Sequence, residues 1–412
     1  MTQGSNKEML LVADALGRVL AAARPLDIEM VALGVARGRT LGRDLAALRT
    51  QPPVDVSAMD GYAVRHDDLA ELGTPLTLVG ESAAGRGFAG TMRAGETVRI
   101  FTGAPVPPGA DTILIQEMAD ADGPRIVARE QPAKGRHIRR AGLDFAEGEV
   151  LLSAGTRLGP AEIALAAAMN HPALPVVRKP RVAIIANGDE LVLPGAPIGP
   201  DQIVASNSFA TAAFVEAAGG EPIDLGIVAD KVDALEGAIV AARTAKADVI
   251  VTLGGASVGD HDLVKPALAK QGMALNFWKI AMRPGKPLIH GHVGTTAILG
   301  LPGNPVSSMV CGVLFLMPLI RALSGDPRAA ADLSEPAILG APLAGNDARQ
   351  DYLRATIEPR PDGSRVVMPN ITQDSSMLRV LAEAECLLIR GPGATALPPG
   401  APCRILRLRS GW

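Results

Sequence analysis

Residues 181–325 alternate short apolar runs with longer stretches whose apolar residues recur at helical spacing, and few folds accept that order. The short runs are RVAIIA, IDLGIV, DVIVTL, FWKIA and AILGL, each of strand length. Between them, SNSFATAAFVEAAGG reads as a helix capped by Ser206 or Asn207. KVDALEGAIVAARTA reads as a second, with Val232, Leu235 and Ile239 on one face. Parallel strands need a crossover, which a helix supplies, so the alternation predicts a mostly parallel sheet with helices on both faces. In such sheets the loops at the carboxyl ends of the strands are free to bind a ligand.

The flanks differ in texture. Residues 8–50 read as helical, with Leu10, Val12, Leu16 and Leu20 at helical spacing. Residues 52–150 are rich in Gly and Pro and carry the β-type runs LTLVG, TVRIF, TILIQ and RIVARE, which predicts a small β-domain. LGPAEIALAAAM, with Pro160 in its first turn, reads as a helix that packs back beside the N-terminal ones and makes the β-domain an insertion. From about 330 the pattern is β again, with a DG turn at Asp362-Gly363. A chain of 412 residues holds several domains. The expected division is a discontinuous, mainly helical N-terminal domain (1–50 and 145–180), an inserted β-rich domain (51–144), an α/β domain (181–328) and a C-terminal β-barrel-like domain (329–412).

Charge and cysteine content exclude some functions. Charged residues make up 20% and the net charge is −3, so nothing favours nucleic acid as the main partner. Cys311, Cys386 and Cys403 lie far apart, as reduced thiols do, and predict a reducing, cytoplasmic compartment. The first twenty residues read as lacking a signal peptide, because Asp14 interrupts the apolar run and Glu8 stands where positive charge is expected. PVSSMVCGVLFLMPLI, with two serines and Pro318, reads as a core helix, and no membrane partner is expected.

Four strands of the α/β region run into loops with chemical content. NGDEL holds Asp189 and Glu190, GGASVGDHD holds glycines and acids, MRPGKP holds Arg283 and Lys286, and PGNPVSS holds Asn304 and hydroxyls. Cations and bare amides suit an anion, clustered carboxylates suit a hard cation such as Mg²⁺, and together they suit a metal-bridged phosphate. Each loop alone also reads as a tight turn or a solvated helix start. Neither G-x-G-x-x-G nor G-x-x-x-x-G-K-[ST] occurs. A second constellation, QPPVDVSAMDGYAVR, carries Asp55, Ser57, Asp60 and Tyr62, shows no strand or helix period, and on composition reads as a linker. Thr102 follows a strand nearby, and GRHIRRAGLDF gathers Arg136, Arg139, Arg140 and Asp144 as a solvated face or an anion socket. His290 and His292 share a strand face without a third ligand, and His261 reads as a surface spacer. No Ser-His-Asp order with a nucleophile elbow is present. Trp278, beside Lys279, reads as a packing anchor.

SAMDGYAVR, IFTGAPVPPGAD, IRRAGLDF, NGDEL, GGASVGDHD, PGKP and LPGNPVS, in that order, resemble the molybdopterin molybdenumtransferases, the bacterial MoeA type and the gephyrin E-domain, over nearly the whole chain. The resemblance implies a transferase that inserts molybdate into adenylylated molybdopterin, with Mg²⁺-dependent cleavage of the pyrophosphate and release of AMP, in the last step of molybdenum cofactor assembly. It implies a molybdopterin-binding-type α/β domain, an N-terminal linker and dimerisation domain, and a homodimer whose cleft is shared between subunits. Transient contacts with molybdopterin adenylyltransferase and apo-molybdoenzymes follow from that role. The same scaffold also admits a paralogue acting with tungstate or for one dedicated enzyme, or a non-catalytic carrier or scaffold.

By resemblance, Glu190 and Asp262 are the metal and phosphate-end acids, and Asp60, Thr102, Arg140 and Asp144 come from across the dimer interface. Lys279, Arg283 and Lys286 form the cationic side. Gly254, Gly255, Ser257, Gly259, Asp260, Pro302, Asn304 and Pro305 contact substrate. Ser307, Arg354 and Ser375, with Arg283 and Lys286, hold molybdate, a tetrahedral dianion suited to charged donors and hydroxyls. Three positions depart from the family pattern: Val56 replaces a common Asn, Arg283 a common Lys, and Asp374 a common Gly.

Overall fold

A computed structural model describes residues 9–255, 263–361 and 363–408. The chain divides into two compact units, one of Met1–Glu29, Gly38–Gly42 and Pro175–Trp412, the other of Met30–Arg37 and Arg43–Leu174.

The first unit contains a six-stranded sheet in the spatial order Glu221–Val228, Arg181–Asn187, Val249–Leu253, Thr296–Leu301, Pro287–Val293, Ala274–Lys279. The first four strands are parallel and the last two pairings antiparallel. Two reversals restore direction, so Ala274–Lys279 runs the same way as Thr296–Leu301, and every strand except Pro287–Val293 ends on one rim. The central strands are apolar throughout because both faces are covered. Val182, Ile184, Val249 and Val251 face a core with Leu299 and Phe315, while Ala183, Ile185 and Ile250 face Leu235, Ile239 and Val264. The apolar run Pro305–Leu323 has the length and hydropathy of a membrane span, yet 67% of its apolar window is buried inside the fold. Its middle, Gly312–Leu316, takes a π turn just before Pro318, whose ring has no N–H to return to the preceding turn.

The same unit holds a barrel of five strands: Glu335–Leu339, Gln350–Pro359, Arg365–Pro369, Cys386–Arg390 and Pro402–Arg407. Pairing of Gln350–Pro359 with Cys386–Arg390 closes it around Leu339, Val367, Leu388 and Ile405. A sixth, two-residue strand, Met282–Arg283, pairs with its rim at Gln350 and Asp351.

The second unit is built on a six-stranded sheet in the order Thr112–Ile115, Gly61–Val64, Glu96–Ile100, Pro75–Ser82, Arg125–Ala128, Ala119–Asp122. Its helix Pro160–Ala168 starts at the expected proline, and Glu162 Oε2 accepts the Gly159 N–H at 2.9 Å.

Two local expectations are corrected. Over residues 9–50 the only α-helix is Val12–Ala21; Pro25 and the glycines at 34, 38 and 42 break the rest into the strands Ile28–Ala32 and Leu45–Ala46 and a 3-10 turn. Val12–Ala21 packs against Gly312–Leu316 and Met317–Leu323 of the first unit. The aperiodic DGYAVR stretch is a strand: Gly61–Val64 is buried at every position, because both faces are covered, Tyr62 and Val64 packing with Leu76 and Leu114, and Ala63 with Val98 and Ile113.

Candidate functional site

The carboxyl rim of the α/β sheet gathers residues from five strand ends. After Arg181–Asn187, the buried Asn187 donates from Nδ2 to Asp230 Oδ1 at 3.2 Å, and the Asp230 N–H donates to Asp189 Oδ1 at 3.1 Å. Asp189 therefore braces the neighbouring loop, while the exposed Glu190 folds its carboxylate back over Gly188, where a Cβ would meet Oε2 at 2.5 Å. Asp230, which sequence reasoning missed, follows Glu221–Val228 and stands at a strand end like the others.

After Val249–Leu253 the backbone turns through positive φ at Gly254 (95°) and Gly255 (61°). A Cβ at Gly255 would lie 2.3 Å from Val264 Cγ2, and one at Gly254 3.0 Å from the Asn187 carbonyl oxygen, so close packing alone demands both glycines. Asn187 Oδ1 and Thr252 Oγ1 are buried there without hydrogen-bond partners among the described residues. Ser257, Gly259, Asp260, His261 and Asp262 lie outside the described residues. Among the described residues no three His, Cys, Asp or Glu side chains converge as a metal site. The rim does offer oxygen donors (Glu190, Asp230 and the Asn187 amide), the chemistry of a hard divalent cation. These do not by themselves close a coordination shell.

The loop between Ala274–Lys279 and Pro287–Val293 closes on itself through Ile280 N–H to Lys286 O at 2.9 Å. Lys279 Nζ lies 4.6 Å from the Trp278 ring centroid, and Lys265 Nζ lies 3.1 Å from it. Lys286 is exposed and makes no ion pair among the described residues. Arg283 is held by carboxylates: Nε and Nη2 donate to Asp351 Oδ1 and Oδ2 at 2.9 and 2.6 Å, and Nη1 lies 3.8 Å from Asp347 Oδ2. Asp347 is pulled down to about 2 by hydrogen bonds from the Arg349 side chain and N–H, with Arg283 adding to the effect. Neither aspartate was singled out in the sequence.

Beside this rim, the loop after Thr296–Leu301 meets the barrel segment 370–377. Asn304 Nδ2 donates to Ser375 Oγ at 3.0 Å, and the Val306 N–H to Ser375 O at 3.1 Å. Pro302 and Pro305 flank Asn304, and Ser307 is buried in the first turn of Pro305–Cys311. Arg354, 1% exposed, donates from Nη2 to Asp374 O at 3.0 Å, while its Nε has no partner. Burial pushes its pKa down, and the Asp374 charge opposes that. Gln373, also missed from sequence, grips both backbone groups of Arg354 at 2.9 Å. The Asp374 carboxylate turns onto its own loop, accepting from Ser376 Oγ at 2.6 Å and Ser376 N–H at 2.8 Å, and these bonds hold it below the usual range. Asn304, Ser375 and, through Asp374, Arg354 thus come together.

In the second unit Asp60 Oδ1 accepts the Thr102 N–H at 2.7 Å and the Thr102 hydroxyl at 2.8 Å, and the two bonds, in that order, lower its pKa. Arg140 Nη1 donates to Asp55 Oδ2 at 2.6 Å, and the Ala141 N–H to Asp55 Oδ1 at 2.9 Å. Backbone bonds from Gly103 N–H to Ser57 O and from Ala58 N–H to His137 O, both 2.8 Å, tie the three segments together. Val56 pairs with Arg139 here, in a role that needs only its backbone. Asp144 is exposed, with its N–H on Gln51 O at 3.0 Å.

Residues 10–170 match the MoeA N-terminal region (domain I and II), 183–322 a probable molybdopterin binding domain, and 336–408 the MoeA C-terminal region (domain IV). The chain is 42% identical over 306 residues to a molybdopterin molybdenumtransferase of Nostoc sp., covering 73% of this chain and 70% of that protein. It is 35% identical to one of Haemophilus influenzae, covering 89% and 90%, and 32% identical to one of Bacillus subtilis, covering 97% and 94%. A solved structure of a molybdopterin biosynthesis MoeA protein from Pyrococcus horikoshii superposes with a TM-score of 0.83 at 28% identity, covering 98% of this chain and all of that one. The chain belongs to the molybdopterin molybdenumtransferase family and is a transferase of molybdenum cofactor biosynthesis.

Proposed function

We propose that this protein inserts molybdate into adenylylated molybdopterin, cleaving the pyrophosphate link with Mg²⁺ and releasing AMP. The observation that carries the reading is the rim itself: Glu190, the glycine turn and Lys286 lie on loops from one sheet edge, with a buried, incompletely partnered Arg354 beside Asn304 and Ser375. A buried guanidinium with a free N–H is costly unless an anion completes it, which suits a tetrahedral dianion held by Arg354, Ser307 and Ser375. Lys279, Lys286 and the amides after Gly254 and Gly255 take the phosphates. Glu190 with Asp262 would hold Mg²⁺, which when bound supplies neutralisation of the pyrophosphate oxygens.

Asp60, kept ionised by Thr102, and Arg140, oriented by Asp55, serve the same chemistry from the second unit. We infer that the working form is a cytoplasmic homodimer in which these groups complete the partner's rim, with transient contacts to molybdopterin adenylyltransferase and apo-molybdoenzymes. The test is AMP release from adenylylated molybdopterin with Mg²⁺, molybdate and, in parallel, tungstate. Molybdate-dependent release is expected. Release with tungstate alone would reassign the metal, and no release with either oxyanion would leave a carrier.

A further inference from the structure

Arg283 stands in a loop whose other cation, Lys286, is exposed and unpaired among the described residues, yet Arg283 commits two of its three nitrogens to one carboxylate. Nε and Nη2 form a two-pronged bond to Asp351, whose side chain is 4% exposed against 47% for Arg283, and Nη1 faces Asp347. An anion could take the Nε–Nη2 edge of this guanidinium only by displacing a buried carboxylate. In the pairing of Gln350–Pro359 with Cys386–Arg390, Asp351 stands opposite Arg390, a buried guanidinium whose Nη2 donates to the Ala344 and Ala394 carbonyls at 3.4 Å and whose Nε and Nη1 have no partners among the described residues.

We propose that Asp351 is a positioning residue acting through Arg283: the pair clamps the 280–286 loop to the barrel so that Lys286 is presented at the rim, and Arg283 binds the barrel, not the substrate. The backbone supports the clamp. Met282 and Arg283 pair with Gln350 and Asp351, and the Gln350 N–H donates to Ala281 O at 2.8 Å. On its far side the loop is wedged at Gly285, where a Cβ would lie 2.6 Å from Cys311 Sγ. The strand that holds the clamp also carries Arg354, so the clamp fixes the basic loop against the strand that bears the anion pocket. A two-pronged bond explains why arginine serves here, since a lysine cannot form it.

The activity readout rests on the function proposed above; the exchange readout does not. Asp351→Asn, Arg283→Gln, Arg283→Lys and the Asp351→Asn/Arg283→Gln double variant are compared with the full-length protein. Each single neutral variant is expected to raise KM for adenylylated molybdopterin about tenfold, the scale of one charge-assisted hydrogen bond. The double variant should be no worse than either, and Arg283→Lys should recover part of the loss. Mere loss of folded protein would lower kcat and leave KM alone. Amide exchange over residues 280–287 should quicken equally in Asp351→Asn and Arg283→Gln. A lower KM in Asp351→Asn with a raised one in Arg283→Gln would overturn the proposal, because Arg283 would then be an anion contact held back by its carboxylate. Additive losses, or unchanged exchange in both variants, would also overturn it. If the parent protein releases no AMP, the functional reading falls and exchange alone judges the clamp.

Discussion

Replacing Arg354 with methionine should make the protein more stable and unable to respond to molybdate. Arg354 is 1% exposed, forms no ion pair among the described residues, and uses one side-chain hydrogen bond, to the Asp374 carbonyl. Burying a guanidinium costs several kcal/mol, and one hydrogen bond from a charged donor returns about 1.5–3 kcal/mol. Methionine has similar reach and no charge, and the freed carbonyl belongs to an exposed residue that water can satisfy. The balance is a gain of about 1–3 kcal/mol, or ~5 °C in the unfolding midpoint of a unit this size. Molybdate reverses the order: at a hundredfold excess over Kd it adds about 2.7 kcal/mol to a protein that binds it and nothing to one that does not. Thermal unfolding with and without molybdate reads both effects, and the two curves should cross. A variant less stable than its parent without molybdate would show that Arg354 is already satisfied, and a retained molybdate shift would place the anion elsewhere.

Two further outcomes are expected. Mixing Asp60→Ala chains with Glu190→Ala chains should restore part of the activity, since one heterodimer cleft keeps both acids; no recovery with subunit exchange verified would refute the shared cleft. His290, fully buried with Nδ1 on Ile298 O, is pushed down to about 4 by burial. Its folded pKa lies below the unfolded value, so stability is full above about pH 6.5 and falls toward pH 4, by about 3 kcal/mol in total. The difference between parent and His290→Gln in denaturant titrations should shrink by that amount across the window; parallel curves would refute it.

Local signals carried far where neighbours in sequence are neighbours in space. The Gly254-Gly255 turn, the proline starting Pro160–Ala168 and the strand runs are all determined by a few adjacent residues, and each stands where its pattern puts it. Arg283 shows the opposite case. Its charge was visible, but its carboxylate partner is 68 positions away on the barrel strand Gln350–Pro359, and no local pattern announces it. The same separation hid the meeting of Asn304 with Ser375, 71 positions apart, and of Asp230 with Asp189, 41 apart. Asp374 was recorded as a departure, and the tertiary structure changes its meaning: the following serine, Ser376, takes up the carboxylate, and the backbone carbonyl serves Arg354.

From sequence alone, the strand–helix alternation determined the parallel sheet and its rim, and the seven ordered motifs determined the family. Only the folded chain decided which charges on that rim are free. Hydrogen bonds and ion pairs depend on separations of a few ångströms, and those are set when distant strands close into a barrel, after the local pattern has had its say. Lys286 and Arg283 differ by three positions and carry the same sign, yet one makes no ion pair among the described residues and the other is bonded through two nitrogens to Asp351.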